Sequence, residues 1–305
     1  MGKGMMFFIQ LLAYGFYFLP RFIQLKLGQG LGRLLWTFQY RSQVVSENLA
    51  RAYPHDLKKQ QQILKATYQH LGNLFLEILL VVGPLKSFVQ KYVTIIGMEH
   101  VVEAKKKGKG ILFQVNHMGN WEVLLAALGV QLDCDLMMVT KSLKPAWFHD
   151  GMQKGRLRCG VKATYEPRTM RDIMNQLKKK GSVAMATDQY LGPPVGVRVP
   201  FFGIPVGTSI LVATLAKRTQ AEVLSTDMYR TPDGRFVVEI HPPLEWETHP
   251  AHPHYEIVKN TEKYAQFIEA CVYRHPEQWL WTHRRFKGDL SPLLPEEWFQ
   301  PRIRR

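Results

Sequence analysis

Residues 111–130 read ILFQVNHMGNWEVLLAALGV, and this stretch indicates the class of fold. Residues 111–115 are apolar except for one glutamine, which is typical of a buried strand. Gly119 and Asn120 then provide a turn and a helix start, so residues 122–130 are predicted to be helical. A buried strand that leads directly into a helix is the repeating unit of α/β folds.

Apolar segments alternate with helical patterns on both sides of this unit. A Thr-Pro-Asp-Gly turn at 231–234 separates two strand-like segments and predicts a hairpin, so the sheet should be mixed. We therefore expect an α/β fold with a mixed, mostly parallel central sheet flanked by helices. The predicted strands are residues 111–115, 136–140, 182–187, 221–229 and 235–241, and the predicted helices are residues 42–82, 122–130, 170–177, 209–217 and 255–273.

The chain is basic: its 305 residues carry 40 Lys and Arg against 25 Asp and Glu, for a formal net charge of +15. Such a protein should favour polyanions, namely nucleic acid, an anionic membrane surface, or an acidic protein or phosphorylated lipid. No nucleic-acid-binding module is recognisable, and the apolar N-terminus opposes that class of partner. The basic runs lie at residues 105–109, 178–180, 284–287 and 302–305.

The N-terminal segment predicts membrane association. Residues 5–19 carry no charge and are rich in aromatic side chains, but 15 helical residues span only about 22 Å of a hydrocarbon core of about 30 Å. Arg21, Lys26 and Arg33 follow among apolar residues, as in an interfacial helix. We expect residues 1–40 to form a membrane helix that anchors the protein, either spanning or lying on the bilayer, and residues 41–305 to form the main domain. The alternative is an ordinary buried helix.

Several classes of chemistry lack their motifs. The patterns HExxH, GxSxG, GxxxxGK[ST] and GxGxxG are absent, which counts against zinc proteases, serine hydrolases, nucleotide hydrolases and dehydrogenases. The cysteines have no CxxC spacing and suit a reducing compartment. A histidine-rich stretch among prolines reads as a loop, so we expect neither a metal nor a cofactor. The cysteines are Cys134, Cys159 and Cys271, and the histidines are His241, His249, His252 and His254.

His117 and Glu122 form the main chemical candidate. His117 would lie in the turn at the end of a strand, where open α/β sheets bind ligands. Glu122 would lie in the first turn of the following helix, close enough for its carboxylate to orient the imidazole. An imidazole so oriented can take a proton from an alcohol. The alternative is a structural loop histidine and a glutamate that caps the helix.

Four blocks, in order, resemble the bacterial lipid A biosynthesis lauroyl/myristoyl acyltransferase family. The block Asn-His117-x4-Glu122 is similar to the His-x4-acid motif of glycerolipid acyltransferases in general. The other blocks narrow the resemblance to the lipid A family and extend it from about residue 41 to residue 287. They are Asn48-Leu49-x3-Tyr53-Pro54, residues 181–189 (GSVAMATDQ) with 199–205 (VPFFGIP), and residues 276–287 (PEQWLWTHRRFK).

The resemblance implies an enzyme that transfers a fatty acyl chain to a lipid hydroxyl. It implies a glycerolipid acyltransferase-like fold, His117 as general base, Glu122 as its partner, and acyl carrier protein as an acidic donor that suits a basic surface. The amides of residues 118–120 would stabilise the tetrahedral oxyanion. The acceptor would be a lipid A precursor or a related glycolipid, and the enzyme would act on the cytoplasmic side of the bacterial inner membrane in lipopolysaccharide biosynthesis.

Further polar residues are candidates for substrate binding. Arg156 and Arg158 are similar to the basic block that follows the catalytic block in the family, and guanidinium groups suit acceptor phosphates. Each of the candidates also has a structural reading, as a solvated cation, a cap or part of an ion-pair cluster. The full set is Asn116, Asn120, Arg156, Arg158, Asp188, Arg284 and Arg285.

Two alternatives to this function stay open. The acceptor could be another lipid, such as a lysophospholipid or a phosphatidylinositol mannoside, because relatives of the family acylate other sugar lipids. A non-catalytic basic scaffold that binds membranes would also explain the charge and the N-terminus. It would leave the predicted arrangement of His117 and Glu122 without a purpose.

Overall fold

The computed structural model describes residues 2–132 and 135–293. Cys134 and the basic run at 302–305 lie outside the described residues.

The N-terminal part consists of helices that pack against one edge of the molecule. Leu19 and Pro20 separate the first two helices, because proline cannot continue a helix from the preceding turn. The predicted anchor is therefore two helices rather than one. Across the described residues, every helix is too short or too polar to cross a bilayer. These helices are α1 (Gly2–Phe18), α2 (Arg21–Thr37), α3 (Ser42–Ala52), α4 (Leu57–Ile78) and α5 (Leu85–Tyr92), with a 3-10 turn at Leu79–Val82.

The rest of the described chain alternates strands and helices, as predicted. The strands are β1 (Val93–Ile96), β2 (Ile111–Val115), β3 (Leu136–Val139), β4 (Val161–Thr164), β5 (Ser182–Ala186), β6 (Gly196–Phe201), β7 (Ile204–Ser209), β8 (Glu222–Arg230) and β9 (Phe236–Ile240). The helices are α6 (Met98–Lys106), α7 (Trp121–Gln131), α8 (Ala146–Arg158), α9 (Thr169–Lys178), α10 (Leu211–Thr219) and α11 (Pro253–Arg274), with a second 3-10 turn at Pro276–Gln278.

Seven strands form the central sheet in the order β1-β9-β8-β2-β5-β3-β4. All neighbouring pairs are parallel except β8 and β9, which form the predicted antiparallel hairpin. The mixed, mostly parallel sheet flanked by helices is thus confirmed. The strands β6 and β7 pair separately as an antiparallel hairpin, which the sequence did not predict.

The register between β2 and β5 positions the functional site. These strands are parallel neighbours at the centre of the sheet, and Val115 lies opposite Ala186 at their carboxyl ends. The residues that follow each strand therefore leave the sheet side by side. His117 and Asp188 both come two residues after this pair, so the register alone brings them together.

Three glycines allow α2 and α4 to cross closely. A Cβ on Gly32 would lie 2.2 Å from the Tyr68 carbonyl oxygen, and one on Gly72 would lie 2.0 Å from the Gly28 carbonyl oxygen. No real side chain tolerates such distances, so the backbones can approach only because these residues have no Cβ. This crossing fastens the second N-terminal helix to the rest of the molecule.

Candidate active site

His117 lies in the turn between β2 and α7, and its ring is held by Asp188 rather than by Glu122. The Nδ1 atom lies 2.7 Å from Asp188 Oδ1, and the His117 backbone amide donates to Asp188 Oδ2 at 2.9 Å. Trp279 Nε1 also donates to Oδ2, at 2.9 Å. Asp188 is buried and receives three hydrogen bonds, so its predicted role as a direct ligand contact is replaced by the positioning of His117.

The charges of the pair favour an ionised aspartate and a basic imidazole. Burial works against the Asp188 carboxylate, but the His117 and Trp279 donors outweigh it and lower the pKa of Asp188 to about 2. Burial likewise opposes the charged imidazole, but the carboxylates of Asp188 and, at longer range, Glu122 raise the pKa of His117 above its usual value. An ionised carboxylate can only accept, so Nδ1 carries the proton. Nε2 then carries the lone pair and can act as a base.

Glu122 lies in the first turn of α7, as predicted, but its carboxylate is bound by Arg156 of α8. Arg156 Nε donates to Glu122 Oε2 at 2.9 Å, and Nη2 donates to Oε1. Both side chains are 5% exposed. The expected direct contact between Glu122 and His117 is therefore wrong, because a nearer guanidinium takes both carboxylate oxygens. Arg156 is thus held by Glu122, and its predicted contact with acceptor phosphates stays a prediction.

The turn that carries His117 is pinned by its own backbone amides. Met118 N donates to Asn116 Oδ1 at 3.0 Å, and Gly119 N donates to the Gln278 carbonyl at 3.1 Å. These two amides cannot serve as the expected oxyanion donors, because each already has an acceptor. Gly119 has a φ of +57°, and a Cβ would meet the Met228 carbonyl at 2.9 Å, so the turn requires glycine.

The sequence analysis missed two residues that face the imidazole. Gln189 places its amide Nε2 atom 3.4 Å from His117 Nε2, at the nitrogen that would act as base. Trp121 lies edge-on to the imidazole with ring centroids 5.0 Å apart. Gln189 follows Asp188 and Trp121 precedes Glu122 in the sequence. This proximity to predicted site residues was the one sequence feature that could have indicated them.

Comparison with known proteins identifies the family. Residues 3–288 match the family model of bacterial lipid A biosynthesis acyltransferases. The chain belongs to this family. It is similar to a lipid A biosynthesis lauroyltransferase and a palmitoleoyltransferase of Escherichia coli K12, each at 26% identity over 88% of this chain and 87% or 86% of the relative. A lipid A biosynthesis acyltransferase of Haemophilus influenzae is 25% identical over 90% of this chain and 84% of the relative.

The chain is thus an acyltransferase, and its remaining predicted site residues can be placed with that in mind. Asn116 and Asn120 are buried and bind backbone amides of the turn and of the start of α7, and their contact with a substrate stays a prediction. Asn116 Nδ2 has no hydrogen-bond partner among the described residues. The Asn120 side chain caps α7 by accepting from the amides of Glu122 and Val123, a stabilising arrangement at a helix start.

A buried glutamate contacts the start of α7, next to the turn that carries His117. Glu77 of α4 is bound by Arg21 of α2 and by Arg230 at the end of β8. The side-chain amide of Asn120 also donates, from Nδ2 to Glu77 Oε2 at 3.2 Å. Burial opposes the charge of Glu77, but the two guanidinium groups outweigh it and lower its pKa. Burial and the neighbouring Arg230 lower the pKa of His70 to about 3, so this histidine stays neutral.

The other arginines predicted to bind substrate differ in their exposure to solvent. Arg285 is buried and donates to the carbonyl oxygens of Gln189 and Gly207 and to Thr208 Oγ1, and its substrate contact stays a prediction. Arg158 is exposed, with Nη2 3.1 Å from the Val82 carbonyl oxygen. Arg284 is exposed.

One group of side chains in the acyltransferase has ligand atoms close enough for a metal. Asp227, Glu239 and His241 bring their ligand atoms within 4.8 Å of one another. Arg274 already donates to Asp227 and Glu239, at 3.0 and 2.9 Å, and His241 Nε2 lies 3.0 Å from Asp227 Oδ1. The group is thus an ion-pair cluster. The histidines at 249, 252 and 254 are not part of it.

Proposed function

We propose that the protein transfers a fatty acyl chain from an acyl-carrier-protein thioester to a hydroxyl of a lipid A precursor or a related glycolipid. The observation that carries this proposal is the His117–Asp188 pair, in which Asp188 binds Nδ1 and leaves the lone pair on Nε2. Family membership and the printed names of the relatives support the lipid A acceptor. No metal or redox cofactor takes part in the proposed reaction.

In the proposed reaction, His117 Nε2 takes the proton of the acceptor hydroxyl. The hydroxyl oxygen attacks the thioester carbonyl carbon, and a tetrahedral oxyanion forms. The intermediate then collapses, the C–S bond breaks, and the proton on Nε2 goes to the leaving thiolate of the carrier. Asp188 holds the ring orientation and stabilises the transient imidazolium throughout, as buried carboxylates do in other acyl-transfer sites.

Glu122 acts in this proposal through its charge and its ion pair with Arg156. Its carboxylate adds to the raised pKa of His117, and so favours the imidazolium. The two hydrogen bonds from Arg156 fix the Glu122 side chain at the start of α7. Glu122 is therefore a positioning residue in the geometry described, although the sequence spacing predicted a direct contact.

Gln189 is our candidate for stabilising the oxyanion. Its amide lies at His117 Nε2, where the acceptor hydroxyl and the thioester carbonyl must meet. A neutral amide donor aimed at the developing negative charge is a common means of lowering such barriers. It takes the role that the occupied amides of Met118 and Gly119 cannot fill.

The surface of the protein suits both an acidic acyl donor and an anionic membrane. Arg284 and Lys287 are exposed beside the segment that contacts Tyr190, and they give the rim of the site a positive charge for an acidic carrier or an acceptor phosphate. The exposed apolar side chains of residues 5–40 supply a surface for an anionic bilayer. We propose residues 1–40 as the interfacial anchor, residues 41–305 as the catalytic domain, and the cytoplasmic face of the inner membrane as its location.

The test is acyl transfer by proteoliposomes that contain the purified protein. Labelled acyl-carrier-protein or coenzyme A thioesters are offered with a panel of acceptors: a lipid A precursor, lysophospholipids and phosphatidylinositol mannosides. We expect product from the lipid A precursor, lost in His117→Ala. Product from a different acceptor alone would replace the proposed substrate, and no transfer by folded protein would favour the membrane scaffold.

A further inference from the structure

A groove of about 600 Å³ lies between α2 and α4, and the mechanism above does not use it. It begins where the close glycine crossing of the two helices ends. Beyond Gly32, the large side chains of Trp36 on α2 and Leu64 on α4 line it. The groove is lined by Gly32, Arg33, Trp36, Gln61, Leu64, Lys65, Tyr68 and Gln69.

The lining is amphipathic in a way that matches a lipid. Trp36 and Tyr68 stack edge to face, with ring centroids 5.1 Å apart, and with Leu64 they give the groove an apolar wall. Arg33 and Lys65 bring positive charge from opposite sides, one from each helix, and both are exposed. Within the described residues, neither cation has a recorded acidic partner. An anionic group at the mouth of the groove would therefore meet two available cations.

The surroundings of the groove favour a ligand from the membrane. Leu34 on α2 and Phe38, directly after α2, are 56% and 80% exposed. Large apolar side chains that are exposed in one continuous region mark an interaction surface. Because Arg33 and Trp36 belong to residues 1–40, proposed above as the interfacial anchor, the groove would lie at the bilayer surface. Its volume is also typical of a site for a single small ligand.

We infer that this groove binds one anionic phospholipid of the bilayer, with its phosphate between Arg33 and Lys65 and an acyl chain along Trp36 and Leu64. This site differs from the catalytic one, because His117 and Asp188 do not line it. The inference concerns binding alone and does not depend on the transfer reaction. It does assume that the N-terminal surface meets a membrane.

The test uses the full-length protein in detergent micelles that contain a small fraction of phospholipid with brominated acyl chains. Bromine quenches the fluorescence of a nearby tryptophan, and Trp36→Phe identifies the contribution of Trp36. We expect saturable quenching of Trp36 by phosphatidylglycerol, and much weaker quenching by zwitterionic phosphatidylcholine. No acyl donor is present, so the result is independent of whether the protein transfers acyl chains.

Charge variants separate the groove from the general surface. Each cation near a headgroup strengthens binding by about fivefold, so Lys65→Ala should weaken phosphatidylglycerol binding by about that factor, and Arg33→Ala with Lys65→Ala by roughly 25-fold. Lys58→Ala is the matched control, because Lys58 is an exposed lysine of the same helix that does not line the groove. Circular dichroism would check that each variant is folded.

Three outcomes would overturn the inference. The first is equal quenching by the two phospholipids. The second is an equal loss of affinity in Lys58→Ala and Lys65→Ala, which would indicate only general surface attraction. The third is quenching that is unchanged in Trp36→Phe, which would locate the lipid elsewhere.

Discussion

Asp188 receives two hydrogen bonds from His117 and one from Trp279, and these contacts determine which nitrogen of the imidazole carries the proton. In Asp188→Asn the side chain can donate its own N–H to the ring, which favours the wrong tautomer. We expect kcat to fall by roughly 10²–10⁴-fold with little change in KM. Steady-state acyl transfer measures this, and Asp135→Asn, at an exposed residue paired with Lys162, is the control. An unchanged kcat would remove Asp188 from the mechanism.

The same contacts make a prediction about pH. His117 must be neutral to act as base, so activity should rise as the pH increases through its pKa, which Asp188 and Glu122 raise above the usual value near 6.5. Replacing Glu122 by Gln removes one of these charges, so the acidic limb of the profile should move to lower pH. A profile of kcat/KM against pH tests this. A limb that does not move would show that Glu122 has no electrostatic effect on His117.

The ion pair of Glu122 and Arg156 should contribute to stability, because both groups are buried. Removing one partner of such a pair leaves an uncompensated charge and costs about 3–5 kcal/mol, so we expect Glu122→Ala to lose that much free energy of unfolding. Asp135→Ala breaks the exposed pair with Lys162 and should cost less than about 1 kcal/mol. Denaturant titrations compare the two variants, and equal losses would contradict the buried pair.

Among the elements, the crossing of α2 and α4 gives a matched pair of glycine substitutions. A Cβ at Gly32 would strike the Tyr68 carbonyl, whereas one at Gly30, on the same helix, meets nothing within 4 Å. Gly32→Ala should therefore destabilise the protein by about 1–3 kcal/mol, and Gly30→Ala should stabilise α2 by about 0.5–1 kcal/mol. Unfolding midpoints in detergent give both values. Similar effects would mean that the helices do not cross closely.

The predictions from sequence succeeded for elements with clear periodicity. β2, α7, β5 and the hairpin of β8 and β9 have strong apolar patterns and turn residues, and their positions were found. β6 and β7 were missed because Pro200 and Pro205 interrupt the strand pattern, and proline is tolerated only where a strand lies at an edge. Hydrophobic periodicity and turn residues are therefore sufficient to locate these elements of the central sheet and its helices.

The site shows where local patterns stop being sufficient. His117 was found from its place after β2, but its partner comes from β5, 71 residues later. The pairing depends on which strands are neighbours and in what register, and neither is written in the spacing of any single segment. The spacing of five residues to Glu122 indicated the correct helix turn and the wrong contact, because Arg156 arrives from the separate helix α8.

At the scale of the whole molecule, exposed apolar side chains concentrate in residues 5–40. Phe18 and Phe38 are 76% and 80% exposed, so we expect Phe18→Glu with Phe38→Glu to reduce binding to vesicles of phosphatidylglycerol by at least tenfold. Val102→Glu is the control, since Val102 is an exposed apolar residue on the distant helix α6. Vesicle sedimentation measures binding. Equal losses in both variants would mean that no part of the surface is specialised for the bilayer.

Glu77 joins Arg21 of the N-terminal helix to Asn120, which caps the helix after His117. The proposed anchor is therefore connected, through Glu77, to the helix start that follows His117. It is not an interchangeable tether. Replacing residues 2–40 by an unrelated membrane-targeting sequence would preserve membrane targeting but remove Arg21, one of the two arginines that bind the buried Glu77. Such a chimera should reach the bilayer but transfer acyl chains more slowly there, because Glu77 would lack the charge of Arg21.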